Sequence, residues 1–304
     1  MQAVIPRLLG LGHDVVGIDK VGSTLLNPPY MFYEKDLVGM TGKWHIGKID
    51  MVIHAAATIY GIGGFNDYCA DILGNDITMT RNVLNFAMDN QVEKFVYISS
   101  SMVYERCMAD DFGVSEYMVE QHDYPVPLTD YGLSKYVGER LVRSYKRQYD
   151  IPFVIWRPFN IITPYEMARG ETGTSHVFAD FFNAVLIKQM RNIPIISPGT
   201  QSRCFTWIDD VADAIADYSD KVEGAYNLGS NEEISMVGLL DKILVRSNRN
   251  PMDYGKIWLA SIANDVIRRK PNCQLARNFG WKPKVNLNEA IDRCLAHYAE
   301  MGYK

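Results

Sequence analysis

Lys94-Phe95-Val96-Tyr97-Ile98-Ser99-Ser100-Ser101, followed downstream by Tyr131-Gly132-Leu133-Ser134-Lys135, is the part of this chain that decides its fold. The first stretch is a short apolar run that stops at three hydroxyls, as a buried strand does when it reaches the edge of a sheet. The second reads as the start of a helix, where residues four apart share a face, so the Tyr131 phenol and the Lys135 ammonium can meet. A phenol is a poor base at its ordinary pKa near 10, and a nearby cation favours its ionised form. A serine hydroxyl able to bond the same substrate oxygen completes a proton relay for a carbinol. Such equipment suits oxidation of an alcohol to a ketone while a cofactor takes the hydride. Tyr-x-x-x-Lys by itself also occurs on ordinary surface helices; the strand ending in hydroxyls upstream gives it weight.

Working outward, the same alternation repeats. Val4 to Leu11 has helical spacing and ends at Gly12, then His13 to Asp19 reads as a short strand finishing in a carboxylate. Asp50 to His54 is a second strand that runs into Ala55-Ala56-Ala57. Asn75 to Met88 reads as a helix, Tyr131 to Tyr149 as a long amphipathic helix, and Phe153 to Trp156 as the next strand. Nearly continuous apolar strands alternating with helices predict an α/β fold, a doubly wound, Rossmann-like parallel sheet covered on both faces. From about Pro164 the helices shorten and prolines punctuate the chain. Residues 1–164 are therefore expected to form the sheet domain and 165–304 a smaller C-terminal substrate-binding lobe, with about 205–228 returning to the sheet. In a dinucleotide-binding unit a strand and a Gly-rich turn precede the first helix. Neither stands before Gln2-Ala3-Val4, so the middle of the sheet is expected to lack a strand and to leave its neighbours with unpaired edges.

Composition excludes several classes. An apolar share of 47% is ample for a core, and 31 basic against 36 acidic residues, a net charge of −5, with no basic cluster, speaks against nucleic acid and anionic membranes. Five scattered cysteines without metal-ligand spacing read as reduced thiols, so no metal is expected and the cytoplasm is the expected compartment. There is no signal peptide and no membrane-spanning apolar run.

These residues resemble the extended short-chain dehydrogenase/reductase family, in particular its NAD-dependent nucleotide-sugar epimerases and dehydratases. The likeness is carried by Asp19, Asp36-Leu37, His54-Ala55-Ala56-Ala57, Ser99-Ser100-Ser101-Met102-Val103-Tyr104 and Tyr131-x-x-x-Lys135. It continues through Arg157-Pro158-Phe159-Asn160, Gln201-Ser202-Arg203 with Asp209-Asp210, Tyr226-Asn227-Leu228-Gly229, and Gly280-Trp281-Lys282-Pro283. The resemblance implies NAD as cofactor, with Asp19 on the adenosine ribose, where a carboxylate repels a 2′-phosphate. It further implies that Asp36 and Leu37 frame the adenine, that Ala55, Ala56 and Ala57 let the backbone approach the cofactor, and that Ser99 and Pro158 line its site. The helix facing the cofactor often carries Asn in this family; here it carries Asn75-Asp76, with Asp at the matching position, and Asn75 is the candidate contact.

By the same resemblance Ser100, Tyr131 and Lys135 are catalytic, Tyr131 and Lys135 also touching the cofactor. Ser101 and Met102 occupy positions at which the 4,6-dehydratases carry Asp-Glu and the GDP-sugar 3,5-epimerases a Cys. Neither residue transfers protons as those do, and both are read as substrate contacts. Thr58 to Phe65 resembles the Gly-rich loop of the GDP-sugar group, and His176 matches its acid/base, a residue whose pKa suits proton transfer near neutrality. His176 is weighed both as catalyst and as a substrate-binding residue. Asn160, Arg203 and Arg268 fall where the family binds the nucleotide diphosphate, a task suited to the planar guanidinium fork. A homodimer is implied as well.

Three functions follow as expectations. The first is an NAD-dependent nucleotide-sugar epimerase acting at C4 through a 4-keto sugar, which needs no further acid or base. The second is a GDP-sugar 3,5-epimerase or 4-keto reductase using His176. The third is a non-catalytic binding or scaffold relative of the fold.

Overall fold

The computed structural model describes residues 1–22, 30–59, 64–121, 123–168, 170, 172–173, 175–262 and 265–303. The elements run α1 (Val4–Gly10), β1 (Val16–Asp19), β2 (Met31–Glu34), β3 (Met51–His54), α2 (Gly64–Asp67), α3 (Cys69–Asp89), β4 (Lys94–Ile98), α4 (Asp130–Tyr149) and β5 (Phe153–Pro158). After these come β6 (Ile161–Ile162), α5 (Val177–Phe182), β7 (Asn192–Ile196), β8 (Ser202–Cys204), β9 (Thr206–Trp207), α6 (Ile208–Tyr218) and β10 (Gly224–Leu228). The chain closes with β11 (Glu233–Ser235), α7 (Met236–Arg246), β12 (Gly255–Leu259), β13 (Arg268–Arg269), α8 (Gln274–Asn278) and α9 (Leu287–Glu300).

Four parallel strands in the order β10-β5-β4-β3 form the central sheet. Its strands are apolar on both faces because both are covered. Phe95 and Tyr97 of β4 face a core shared with Val83, Leu84 and Ala87 of α3 and Val142 of α4. Val96, between them, faces the opposite core with Val4 of α1, Val211 and Ile215 of α6 and Trp281. This is the doubly wound α/β arrangement the alternating pattern predicts. β1 and β2 pair with each other as a separate parallel ribbon, and no ladder joins β1 to β3 among the described residues. β10, at the end of the stretch 205–228, lies beside β5. A further core gathers Phe178, Phe182, Ile193, Leu240, Leu244, Ile291 and Tyr298 from α5, β7, α7 and α9.

Helix α4 positions the chemistry. Thr129 caps it, accepting the Gly132 N–H on its hydroxyl at 3.1 Å, and Asp130 adds negative charge to the first turn. Its glycines set how closely it docks. A Cβ on Gly132 would sit 2.9 Å from the Met102 carbonyl, and one on Gly138 would overlap the Tyr97 hydroxyl. Small residues there let α4 lie tight against β4 and the turn that follows it. Helix α3 begins at Cys69, earlier than the expected Asn75; in the added turns Ile72 is buried against Phe65 and Met102.

Candidate active site

Ser100 lies just past β4 in extended conformation and caps the 3-10 turn Ser101–Tyr104, accepting the Met102 N–H at 3.1 Å. The Ser100 side chain faces the Tyr131 hydroxyl from the first turn of α4 and favours its ionised form. The Tyr131 ring stacks on Phe65 of α2 with centroids 5.1 Å apart, and Met102 and Ile72 pack around them. The Lys135 ammonium lies 5.8 Å from the Tyr131 ring centroid and 5.5 Å from that of Tyr97, donating one hydrogen bond to the Ile98 carbonyl at 3.3 Å. Ser100, Tyr131 and Lys135 thus converge as the spacing predicts.

Their electrostatics differ from expectation. Burial pushes the Tyr131 phenol up to about 12, Asp76 raises it further, and Ser100 and Arg269 pull it down. Lys135 does not lower it, because the amine sits over the ring face and bonds a carbonyl rather than the hydroxyl. Burial in turn lowers Lys135, with Asp76 acting against it.

The cofactor candidates lie along the same ends of the strands. Asp19 closes β1 with its carboxylate exposed, accepting the Val21 N–H at 3.1 Å. Asp36 is exposed and caps the Val38 N–H at 2.9 Å. Leu37 is buried in the core and its carbonyl is taken by the Asn82 amide, so its side chain is structural. Ala55, Ala56 and Ala57 leave β3 half-buried, and Pro158 ends β5 buried. Two assignments need correction. The Ser99 hydroxyl is committed to Glu139 at 2.6 Å, within a buried pair that binds Arg157 through both carboxylate oxygens. On α3 the inward residue is Asp76, 3% exposed, whereas Asn75 lies one position round the helix and is only half-buried.

On the substrate side, Ser101 and Met102 are buried beside the pair. Asn160, with φ 36°, holds the Cys204 carbonyl through its amide at 3.1 Å and accepts the Thr206 N–H, so it fixes the crossing to β8 and β9. Arg203 is buried on β8 and bonds Asp265 at 2.7 Å. Arg268 does not join it. Its guanidinium forks onto Glu233 at 2.8 and 2.9 Å and reaches Asp111 on the other face of the strand. The inward residue is Arg269, in register with Arg203 on the neighbouring parallel strand and only 7% exposed. Successive strand residues face opposite ways, so an offset of one inverts the assignment.

Arg269 makes no side-chain hydrogen bond among the described residues, and its Nε is buried without a partner. Burial and the Arg203 charge push its pKa down to about 9. A buried guanidinium with an unpaired donor is chemically suited to a phosphate or carboxylate.

His176 precedes α5 with its ring half-exposed. Its Nδ1 pairs with Glu166 at 2.8 Å, and the same carboxylate accepts the His176 N–H at 3.0 Å. Burial lowers its pKa, but the Glu166 hydrogen bond and charge outweigh it and the net direction is up. The part of the Gly-rich loop at 60–63 lies outside the described residues.

Sequence reading missed Glu105. One of its carboxylate oxygens accepts the Leu128 and Thr129 N–H groups at 2.7 and 2.8 Å and the Thr129 hydroxyl at 3.2 Å, fixing the entry to α4. Nothing in its local pattern signals a contact that distant along the chain.

The model of the NAD dependent epimerase/dehydratase family matches residues 2–229 of this chain. The chain belongs to that family. A putative UDP-glucose 4-epimerase of Methanocaldococcus jannaschii is 28% identical over 301 residues, 95% of this chain and 92% of the relative. The UDP-glucose 4-epimerase of Thermotoga maritima, solved with UDP-glucose, superposes with a TM-score of 0.82 at 19% identity, covering 98% of this chain and 94% of that one. A Bacillus cereus UDP-glucuronic acid 4-epimerase variant, solved with NAD, gives 0.80 at 23% identity, over 99% and 95%. The fold is that of these epimerases along the whole chain.

The family is NAD-dependent, and the residues here fit that cofactor: an exposed carboxylate ends β1, small alanines line the exit of β3, and the buried Lys135 ammonium makes a single long hydrogen bond among the described residues. Among the described residues no group of side chains could hold a metal ion, and no helix is long and apolar enough to cross a membrane.

Proposed function

We propose that this family member is a nucleotide-sugar epimerase that inverts C4 through a transient 4-keto sugar. The observation that carries the reading is the Ser100–Tyr131–Lys135 cluster flanked by Ser101 and Met102, which offer no second acid or base. NAD, when bound, supplies a reversible acceptor for two electrons. Asp19 would hold its ribose, the Ala55–Ala57 backbone would lie against it, and Lys135 would contact it beneath Tyr131.

The chain's own residues handle the proton and the pose. Tyr131 takes the proton of the 4-hydroxyl and returns it, while Ser100 bonds the same oxygen. Arg269 and Arg203 receive the diphosphate, whose charge relieves two adjacent buried cations; Arg203 exchanges its Asp265 partner for phosphate oxygens. With the diphosphate as the fixed point, the keto sugar can turn over and present its other face.

The test is incubation with UDP- and GDP-sugars in deuterated water. The 4-epimer is expected with no deuterium on ring carbons; deuterium at C3 or C5 overturns the C4 assignment. The Glu166–His176 pair favours a second reading, a 3,5-epimerase or 4-keto reductase, since a carboxylate-oriented imidazole is a competent acid/base. In its 3,5-epimerase form that reading predicts ring-proton exchange that disappears in His176→Asn; in its reductase form it predicts loss of 4-keto-sugar reduction in the same variant.

A further inference from the structure

Asp76 sits in the interior of a long helix, a position for which aspartate has little propensity, and it is buried. A buried carboxylate is accounted for by what it binds. Its Oδ1 accepts the Thr58 backbone N–H at 2.7 Å, and its Oδ2 accepts the Ser134 hydroxyl at 3.2 Å. Thr58 ends the alanine segment leaving β3. Ser134 lies between Tyr131 and Lys135 on α4, and its hydroxyl is shared with the Tyr131 carbonyl at 2.9 Å. One carboxylate therefore ties the turn after β3 to the helix face that bears the catalytic pair.

We propose that Asp76 is a positioning residue for Tyr131 and Lys135: it latches the Ala55–Thr58 turn onto α4 through Thr58 and Ser134 and so sets a carboxylate beside the face that bears the pair. The proposal rests on the reading of Tyr131 as the group that exchanges a proton with substrate. Asp76 raises Tyr131 in addition to burial, and it raises Lys135 against burial. The other charged or titratable groups facing the cluster act differently. His54 of β3 is held neutral by burial and by Lys135, with its pKa pushed down to about 3, and it bonds Thr80 at 3.1 Å. Tyr97 of β4 is pushed up by burial and pairs with Thr80. Glu139 of α4 is spent on Arg157, and Arg269 of β13 lowers Tyr131. The charge at Asp76 therefore opposes ionisation of the phenol and restrains Tyr131 as a base.

Asp76→Asn isolates the charge. The amide oxygen still accepts the Thr58 N–H and its NH2 donates to Ser134, whose hydroxyl then serves the Tyr131 carbonyl alone. In the NAD-loaded enzyme the limb of the pH–rate profile that rises with pH is expected to shift to lower pH by about one unit, as expected for removing a nearby like charge. Ser134→Ala keeps the charge and is expected to leave the limb in place while lowering the melting temperature. An unmoved limb in a folded Asp76→Asn variant overturns the proposal. Turnover that survives in Tyr131→Phe overturns this proposal and the reading beneath it together; loss of turnover there with an unmoved limb in Asp76→Asn overturns only this one.

Discussion

In the proposed mechanism Tyr131 is where one atom decides activity. Its hydroxyl faces Ser100 and its ring stacks on Phe65, so removing the oxygen leaves the packing intact. Tyr131→Phe is expected to lower turnover at least 100-fold, a general acid–base effect, with an unchanged circular dichroism spectrum. Burial pushes the phenol up to about 12, so turnover is expected to rise with pH through the neutral range as ionisation becomes easier. His54 gives a test of stability rather than rate. Its pKa is about 3 folded and about 6.5 unfolded, so below pH 6.5 the unfolded chain binds the proton that the folded one refuses. Stability from this group is complete above pH 6.5 and falls by about 1.4 kcal/mol per pH unit on going down toward 3. In His54→Gln that contribution is removed. The difference in urea-unfolding free energy between the two proteins should narrow at that rate as the pH is lowered.

At the scale of elements, α4 carries the site and is held at its start by side chains from elsewhere. Glu105 satisfies three donors around Thr129, and its truncation leaves part-buried N–H groups without their charged acceptor. Glu105→Ala is expected to cost about 1–3 kcal/mol in urea denaturation and to slow turnover through a misplaced Tyr131. Deeper in the same helix, Glu139 and Arg157 form a fully buried bidentate pair. Glu139→Ala strands the guanidinium and is expected to cost about 3–5 kcal/mol, more than the surface pair Lys146–Asp150 would if broken. The helix and its neighbouring strands were legible from period and composition, since Lys94–Ile98 and Tyr131–Tyr149 carry clean apolar patterns. Their tethers were not, because Glu105 reaches Thr129 across a loop whose path no local pattern encodes.

Across the whole molecule, the proton-transfer cluster sits at the end of the four-stranded sheet while Arg203 and Arg269 arrive from β8 and β13, far along the chain. A nucleotide sugar that bridges them binds only the folded protein and so stabilises it. At 100 times its dissociation constant the gain is about 2.7 kcal/mol. Addition of a UDP-sugar is expected to raise the melting temperature of the wild-type protein and of Arg268→Ala, but not of Arg269→Met. Equal shifts in all three would remove Arg269 from the substrate site.

The sequence by itself determined the layered α/β architecture, the meeting of Ser100, Tyr131 and Lys135, and membership of an NAD-dependent family. Apolar periodicity and helical spacing are local properties that folding preserves. Only the tertiary structure decided which of two adjacent residues turns inward: Arg269 rather than Arg268, Asp76 rather than Asn75. It also decided that burial, more than the neighbouring amine, governs the Tyr131 phenol. These outcomes depend on register between strands distant in the chain and on the solvent that packing excludes, and neither is written in a local run of residues.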